Sequence, residues 1–227
     1  MADPRTYSDV IVRKPWGSEY LVFSNAHAAL WHLRLRAGCQ TSLHCHPRKK
    51  TALILLNGGA TVRFLNNETI LQGPANLMIR PGLFHSTAAD RGTDVDVLEL
   101  ESPVDKTNIV RLEDPYGRAA APYEGDEYTT PLDDTCLRLP AVTLGEETTV
   151  SLCGRRLQLF FDRDARTRLA ARPPNDILIV LEGGLFSGDG QPVLGPGDAV
   201  SVATASRLAS AFQSPDGISG LLISSEL

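Results

Sequence analysis

Short apolar runs separated by turn residues recur along most of this 227-residue chain, and they constrain its fold more than any other feature. The stretch ALWHLRLR (29–36) alternates apolar with polar side chains, which is the pattern of a strand with one buried face. The stretches TALILLN (51–57), ATVRFLN (60–66) and DVDVLELE (94–101) follow, with Gly, Pro and Asn between them. Many short strands joined by turns predict an all-β fold, either a sandwich or a barrel.

The strand pattern occurs twice along the chain. LILLNGG (53–59) matches LIVLEGG (178–184), and LQGPANLMI (71–79) matches VLGPGDAVSV (193–202). A polar stretch with several prolines separates the two series. Internal repetition of this kind predicts a duplicated β-domain. We therefore expect an N-terminal β-domain over residues 1–115, a long polar linker over 116–140 and a second β-domain over 141–227.

The charge and composition of the chain exclude several classes of protein. A net charge of -5 and a pI of about 5.5 argue against a nucleic-acid partner, which requires a basic surface. No apolar run reaches the roughly 18 residues of a membrane span, and residues 1–10 lack the pattern of a signal peptide. The four cysteines have no disulfide-framework spacing. We expect a cytoplasmic protein with no membrane partner, and the base rate of symmetric oligomers favours a homodimer.

Two of the five histidines, His44 and His46, lie one residue apart between two glycines. In an extended strand, residues two apart project from the same face. A third histidine, His85, follows the next glycine-containing turns. Counted from the turns that both halves share, the corresponding positions of the second half hold Leu169, Ala171 and Arg207. Since the second half keeps the turns without the histidines, core packing does not require imidazoles at these positions. The pair His44 and His46 is therefore either a coincidence of composition or one half of a metal site.

The spacing of the histidines resembles the two motifs of the cupin superfamily. The positions that fit these motifs are Gly38, His44, His46, Gly58, Gly73, Gly82 and His85. Thr51 stands where the first motif has a glutamate, and Arg80 stands where the second has a proline. The resemblance extends over residues 15–101 and, through the strand pattern alone, over 150–226. It implies a small jelly-roll barrel that holds a metal ion by three histidines, followed by a degenerate barrel without ligands.

Neutral imidazole is a ligand for Zn, Fe, Mn, Co and Ni, and the spacing does not select among these metals. Three protein ligands leave positions open for water or substrate, as in catalytic rather than structural sites. Because a threonine hydroxyl is a poor ligand, Thr51 predicts a three-histidine site with one negative charge less than the motif has. A metal ion in such a site is a stronger Lewis acid toward an anionic oxygen ligand than a metal ion that the glutamate also binds.

Two further features indicate a small anionic substrate. KPWGSEY (14–20) resembles a segment of cupin-type mannose-6-phosphate isomerases, although filling one end of the barrel is an alternative role for its tryptophan. Basic residues flank the histidine motifs, and such residues bind phosphate or carboxylate groups. The candidates for substrate binding are Trp16, Lys49, Lys50 and Thr51. The candidates for catalysis are His32, Arg34 and Arg80, with His32 as a general base or as a structural strand histidine.

These features support three hypotheses. The leading one is a metal-dependent duplicated cupin that isomerises or epimerises a sugar phosphate or nucleotide sugar. The second is an iron-dependent dioxygenase, since three neutral histidines also suit Fe(II). The third is a non-catalytic sugar-binding or scaffolding cupin, because the second half persists without ligands. The sequence leaves open whether Lys106, Arg111 and Tyr116 close over the site.

Overall fold

The computed structural model describes residues 7–118 and 124–225, and strands dominate both ranges. The strands of the N-terminal half are β1 (Val10–Lys14), β2 (Gly17–Ser24), β3 (Ala29–Leu35), β4 (Leu43–Cys45), β5 (Lys50–Leu55), β6 (Gly59–Phe64), β7 (Glu68–Gln72), β8 (Ala75–Ile79), β9 (His85–Ala89) and β10 (Val95–Ser102). The polar stretch contributes β11 (Val110–Glu113), a 3-10 helix (Asp126–Tyr128) and β12 (Thr129–Pro131). Of the predicted all-β fold, the predominance of strands is confirmed, whereas the structure also contains helices.

Strands β1 to β12 form two antiparallel sheets that enclose a barrel interior. The first sheet has seven strands in the order β12-β1-β2-β3-β10-β5-β8, and the second has five in the order β11-β4-β9-β6-β7. The interior between them includes Trp31 and Leu53 of the first sheet and Val62 and Ala89 of the second. This pair of facing sheets is the scaffold on which the histidine motifs lie.

The central strands β5 and β10 of the seven-stranded sheet are buried on both faces. Along β5, Leu53 and Leu55 face the barrel interior, whereas Ala52 and Ile54 pack against the C-terminal half. This continuous apolar run is typical of a strand that is covered on both sides. Consequently, alternation along these strands distinguishes two buried environments rather than core from solvent.

The C-terminal half contains five further strands in one antiparallel sheet, a hairpin and two helices. The elements are β13 (Glu147–Leu152), β14 (Arg155–Asp162), α1 (Ala165–Ala170), β15 (Ile177–Gly183), β16 (Leu185–Phe186), β17 (Pro192–Leu194), β18 (Ala199–Ser201), α2 (Val202–Ala211) and β19 (Ile218–Ile223). The five-stranded sheet has the order β13-β14-β19-β15-β18, and β16 pairs with β17. One face of this sheet packs on the barrel through residues such as Leu159 and Leu221.

Within the described residues, the C-terminal half does not close into the predicted second barrel. Its other face is covered by the two helices, which contribute Leu169, Val202 and Ala205 to a separate apolar cluster. Asp164 caps α1 by accepting a hydrogen bond from the Thr167 amide at 2.9 Å, and Ser201 caps α2 in the same way. No helix of the described residues is long and apolar enough to cross a membrane.

The polar stretch between the halves is partly built into the barrel. β11 pairs with β4 in the second sheet, and β12 pairs with β1 at the edge of the first. The stretch predicted as a linker over 116–140 therefore returns to the barrel at Thr129–Pro131 before it enters the C-terminal half. Residues 119–123 of that stretch lie outside the described residues, and the predicted domain boundaries stay predictions.

Candidate metal centre and adjoining pocket

The three motif histidines converge inside the barrel. His44 lies in β4 and pairs across the sheet with His85, the first residue of β9, while His46 follows the end of β4. The ring centroids are 5.0 Å apart for His44 and His46, 4.5 Å for His44 and His85, and 5.7 Å for His46 and His85. One ring nitrogen of each histidine lies within 4.8 Å of the other two. This is the spacing of side chains that could share one cation.

Hydrogen bonds to the backbone fix the orientation of all three rings. The Nδ1 atoms of His44, His46 and His85 lie 2.8, 2.7 and 2.9 Å from the carbonyl oxygens of Ser42, Asn108 and Leu83, respectively. Because a carbonyl oxygen only accepts, each Nδ1 carries the proton and each Nε2 keeps its lone pair. Such a bond from the distal nitrogen is typical of metal-binding histidines.

The Nε2 atoms of His46 and His85 are buried and have no hydrogen-bond partner among the described residues. A buried acceptor without a partner costs about 1–3 kcal/mol, so their environment favours a ligand that can accept the lone pair. The donor set of three neutral imidazole nitrogens fits a divalent transition metal. The chain therefore satisfies the chemical requirements of a metal site at these residues.

Burial keeps the three imidazoles neutral. It is the main cause that lowers the pKa of His44 well below its ordinary value, and His85 and His46 act in the same direction. Burial, followed by the charge of Lys49, lowers the pKa of His46 to about 4. Burial also lowers the pKa of His85. Since only the unprotonated ring binds a metal, the site needs little deprotonation at neutral pH.

A pocket opens beside His44 and His46, with an empty volume of about 500 Å³ that includes its open mouth. The other residues that line it are Lys14, Trp16, Glu19, Leu33, Thr41, Ser42, Lys49, Glu99, Glu101, Lys106, Ile109, Arg111 and Arg118. Five of these are basic and three are acidic, so the basic groups outnumber the acidic ones beside the candidate metal site. The pocket is thus suited to an anionic ligand of modest size.

Two glutamates of β10, Glu99 and Glu101, project into this pocket. Glu101 is 2% exposed, and its Oε1 atom forms an ion pair with the Lys49 Nζ at 2.9 Å. Burial and the neighbouring charge of Glu101 raise the pKa of Glu99 from its ordinary value toward neutrality. A carboxyl group in this state is able both to hold and to release a proton.

Sequence reasoning missed these two glutamates. In DVDVLELE, Val95 and Val97 share one face with Glu99 and Glu101, whereas Leu98 lies on the opposite face. The leucines suggest that the glutamates face solvent. The available signal was the change from apolar residues at odd positions to apolar residues at even positions, which indicates a strand buried on both faces.

The polar stretch contributes directly to the pocket and answers the question that the sequence left open. Lys106 lies with its Nζ 3.0 Å from Glu19 Oε1 and 3.6 Å from the centre of the Trp31 ring. Arg111 is paired with His44 across β11 and β4, and both basic residues line the pocket. Tyr116 instead accepts a hydrogen bond from the Gln40 amide at 3.4 Å.

The structure places the three predicted catalytic residues away from this pocket. His32 lies on the other face of the seven-stranded sheet, where its Nε2 donates to Asp96 Oδ1 at 2.9 Å. Arg34 is exposed and forms an ion pair with Asp94 at 3.3 Å. Arg80 is also exposed, in the turn before β9. Alternation explains the first two positions, because Trp31 and Leu33 take the inner face of β3.

The four predicted substrate-binding residues divide into two pairs. Trp16 and Lys49 line the pocket and are almost fully buried. Lys50 points to the C-terminal half, where its Nζ bonds Asp198 Oδ1 at 2.8 Å. Thr51 is fully buried in β5, beside the site but outside the described lining of the pocket. Their roles in binding stay predictions.

No protein-family model matches the chain. The chain is similar to the alginate biosynthesis protein AlgA of Pseudomonas aeruginosa, with 27% identity over 113 residues, which are 49% of this chain and 24% of AlgA. It therefore spans about a quarter of the length of that curated relative.

Two similar solved structures are KdgF from a Halomonas species and the cupin domain of Cnp3 from Schizosaccharomyces pombe. KdgF is 17% identical with a TM-score of 0.39, and the match covers 40% of this chain and 84% of KdgF. The Cnp3 domain is 12% identical with a TM-score of 0.36, and the match covers 37% of this chain and 63% of that domain. These likenesses leave the activity to be proposed from the residues of the chain itself.

Proposed function

We propose that this protein is a metal-dependent cupin enzyme that isomerises or epimerises a small anionic substrate of the sugar-phosphate or nucleotide-sugar class. One observation carries the proposal. Three buried imidazoles, each held by a backbone carbonyl at Nδ1, turn their ring nitrogens toward one another beside a pocket rich in basic residues.

The metal would be held by His44, His46 and His85. A bound divalent cation supplies a Lewis acid that polarises a carbonyl or hydroxyl oxygen of the substrate. The chain's own residues do the rest of the work that isomerisation requires. They bind the anionic group, orient the carbon chain and move a proton.

Glu99 is the group best suited to proton transfer. Its carboxyl group is buried in the pocket, and its raised pKa allows both protonation states near neutral pH. Isomerisation of a sugar through an enediol uses one group that takes a proton from carbon and returns it to the neighbouring carbon, and epimerisation by the same chemistry returns it to the same carbon. The presence of such a carboxyl group favours isomerisation over oxygen chemistry as the first activity to test.

Lys106 and Arg111 are suited to bind the anionic group of the substrate. Both line the pocket, and both come from the polar stretch that follows β10. Lys106 is positioned by Glu19 and by the face of Trp31. Arg111 presents a planar fork that matches phosphate or carboxylate.

The test begins with metal content and continues with proton exchange. Protein purified without a histidine tag is analysed for bound metals and compared with the variant H44A/H46A and with the control H27A, which alters an exposed histidine. We expect stoichiometric metal in the wild type and in H27A, and none in the double variant. Unchanged metal content in H44A/H46A would falsify the proposal.

Activity is measured as deuterium incorporation from D₂O into a panel of sugar phosphates and nucleotide sugars, followed by NMR. Exchange at carbon that is lost in H44A/H46A and in E99Q is the expected result. Substrate-dependent oxygen uptake without exchange contradicts isomerisation and favours a dioxygenase. Stoichiometric metal with neither reaction contradicts an enzyme of either kind and favours a binding protein.

A further inference from the structure

The carboxylate that the first histidine motif lacks at Thr51 has a neighbour on the adjacent strand. Thr51 of β5 pairs directly with Glu101 of β10. Directly paired residues of an antiparallel sheet project from the same face. Thr51 and Glu101 thus project from the same face of the sheet, and Thr51 is fully buried there.

The contacts of Glu101 leave one of its oxygens without a partner. Oε1 lies 2.9 Å from the Lys49 Nζ and 4.0 Å from the Lys106 Nζ. Oε2 is buried and has no hydrogen-bond partner among the described residues. If the carboxylate only neutralised Lys49, the second oxygen would remain desolvated without compensation, which is unfavourable for a charged group.

His46 connects Glu101 to the three-histidine site. One nitrogen of its ring lies within 4.8 Å of a carboxylate oxygen of Glu101 and of one of Glu99. The same residue belongs to the group that His44 and His85 complete. His46 is thus the residue shared by two groups, one completed by His44 and His85 and the other by Glu99 and Glu101. Both Nε2 of His46 and Oε2 of Glu101 are buried without a hydrogen-bond partner among the described residues.

We propose that Glu101 is the fourth protein ligand of the divalent cation and supplies from β10 the carboxylate that Thr51 does not supply from β5. Lys49 holds the second carboxylate oxygen and so orients the ligand, as outer-shell partners of metal sites do. This inference rests on the metal site of the proposed function. It replaces the three-histidine site expected from the sequence by a site of three imidazoles and one carboxylate.

The experiment measures metal affinity rather than activity. Apo-protein is titrated with Zn²⁺ and Co²⁺ for the wild type, E101Q and E124Q, where Glu124 is a matched control because it is also a buried, ion-paired glutamate. We expect E101Q to lower the affinity by at least about tenfold and to change the visible spectrum of bound Co²⁺. We expect E124Q to match the wild type in both measurements.

A second variant moves the carboxylate back to the motif position. T51E/E101Q restores metal affinity if a carboxylate ligand is what E101Q removes. Because E101Q leaves Lys49 without its partner, K49M/E101Q is compared with K49M to separate loss of the ligand from loss of the fold. The affinity of K49M/E101Q is expected to lie below that of K49M.

Each outcome separates this inference from the function on which it rests. Equal affinity and equal Co²⁺ spectra in E101Q and the wild type, with metal lost in H44A/H46A, overturn the role of Glu101 and leave the three-histidine site. Absence of metal binding in the wild type overturns both. Restored metal affinity in T51E/E101Q supports the carboxylate ligand. A folded T51E/E101Q protein that binds metal no more tightly than E101Q contradicts it.

Discussion

One part of the barrel and the sheet of the C-terminal half share their strand order. Five neighbouring strands of the barrel follow β2-β3-β10-β5-β8, and the C-terminal sheet follows β13-β14-β19-β15-β18. With the strands of each set numbered along the chain, both orders are 1-2-5-3-4. The matching turns of the sequence, Gly58-Gly59 and Gly183-Gly184, lie at the C-terminal ends of two equivalent strands, β5 and β15.

The connections between these strands differ. In the barrel the chain leaves the first sheet to form β4, β6 with β7, and β9, which build the second sheet and carry the histidines. At the same points the C-terminal half forms α1, the β16–β17 hairpin and α2. The common sheet supplies a packing face, and the connections decide whether a ligand site forms. Shared topology therefore says little about shared chemistry.

The largest expected effect concerns the third ligand of the metal site. The variant H85A should lose stoichiometric metal, because β9 contributes no other histidine to the site. R207H, which alters the position that sequence counting equates with His85, should keep wild-type metal content because Arg207 is exposed on α2. H85A/R207H should remain without metal. Elemental analysis of the three proteins measures their metal content. Stoichiometric metal in H85A/R207H would contradict the conclusion that only the N-terminal half positions a histidine at the metal site.

The next largest effect concerns the core that the two halves share. Leu221 of β19 is fully buried against barrel residues that include Leu98 and Leu100. L221A should lower the free energy of unfolding by about 2–5 kcal/mol. Both tryptophans, Trp16 and Trp31, lie in the barrel. Their fluorescence should therefore report a lower urea midpoint although the substitution is in the other half, and an unchanged fluorescence midpoint would show that the halves unfold independently.

A smaller effect separates the two matching turns. A Cβ atom on Gly184 would lie 2.2 Å from the carbonyl oxygen of Leu194, and its φ of +148° disfavours other residues. On Gly59 the nearest atom, at 2.1 Å, is the end of the Asp90 side chain, which can rotate away. G184A should cost about 1–3 kcal/mol and G59A less. Urea unfolding of both variants checks the order, and a larger effect for G59A contradicts it.

The strand pattern and the histidine spacing were sufficient to predict the barrel and the convergence of its three histidines. Both signals are local, because alternation and turn residues act within a few positions of each other. The helices of the C-terminal half were missed, although Asp164 and Ser201 are helix-capping residues that precede short apolar segments. Counting from turns equated Arg207 with His85 because the count assumes that both segments are strands.

The remaining errors came from the contact between the halves. The central strands of the seven-stranded sheet are covered on both faces along most of their length, so His32 of β3 and the glutamates of β10 do not mark a solvent side. His32 was expected near the metal but faces the C-terminal half, whereas Glu99 and Glu101 face the pocket. A single strand does not encode which of its two faces receives the second half of the chain.

The smallest expected effect is a pH dependence at the junction of the halves. Burial opposes ionisation of Asp96, but hydrogen bonds from His32 at 2.9 Å and Asn57 at 2.8 Å outweigh it and lower the pKa to about 2. A depressed pKa stabilises the folded state above the unfolded value of about 3.9, and this contribution is lost as the pH falls toward 2. The difference in unfolding free energy between the wild type and D96N should therefore shrink by about 1 kcal/mol between pH 6 and pH 2. Urea titrations across this range check it, and a difference that stays constant or grows on acidification contradicts the role of Asp96 at the junction.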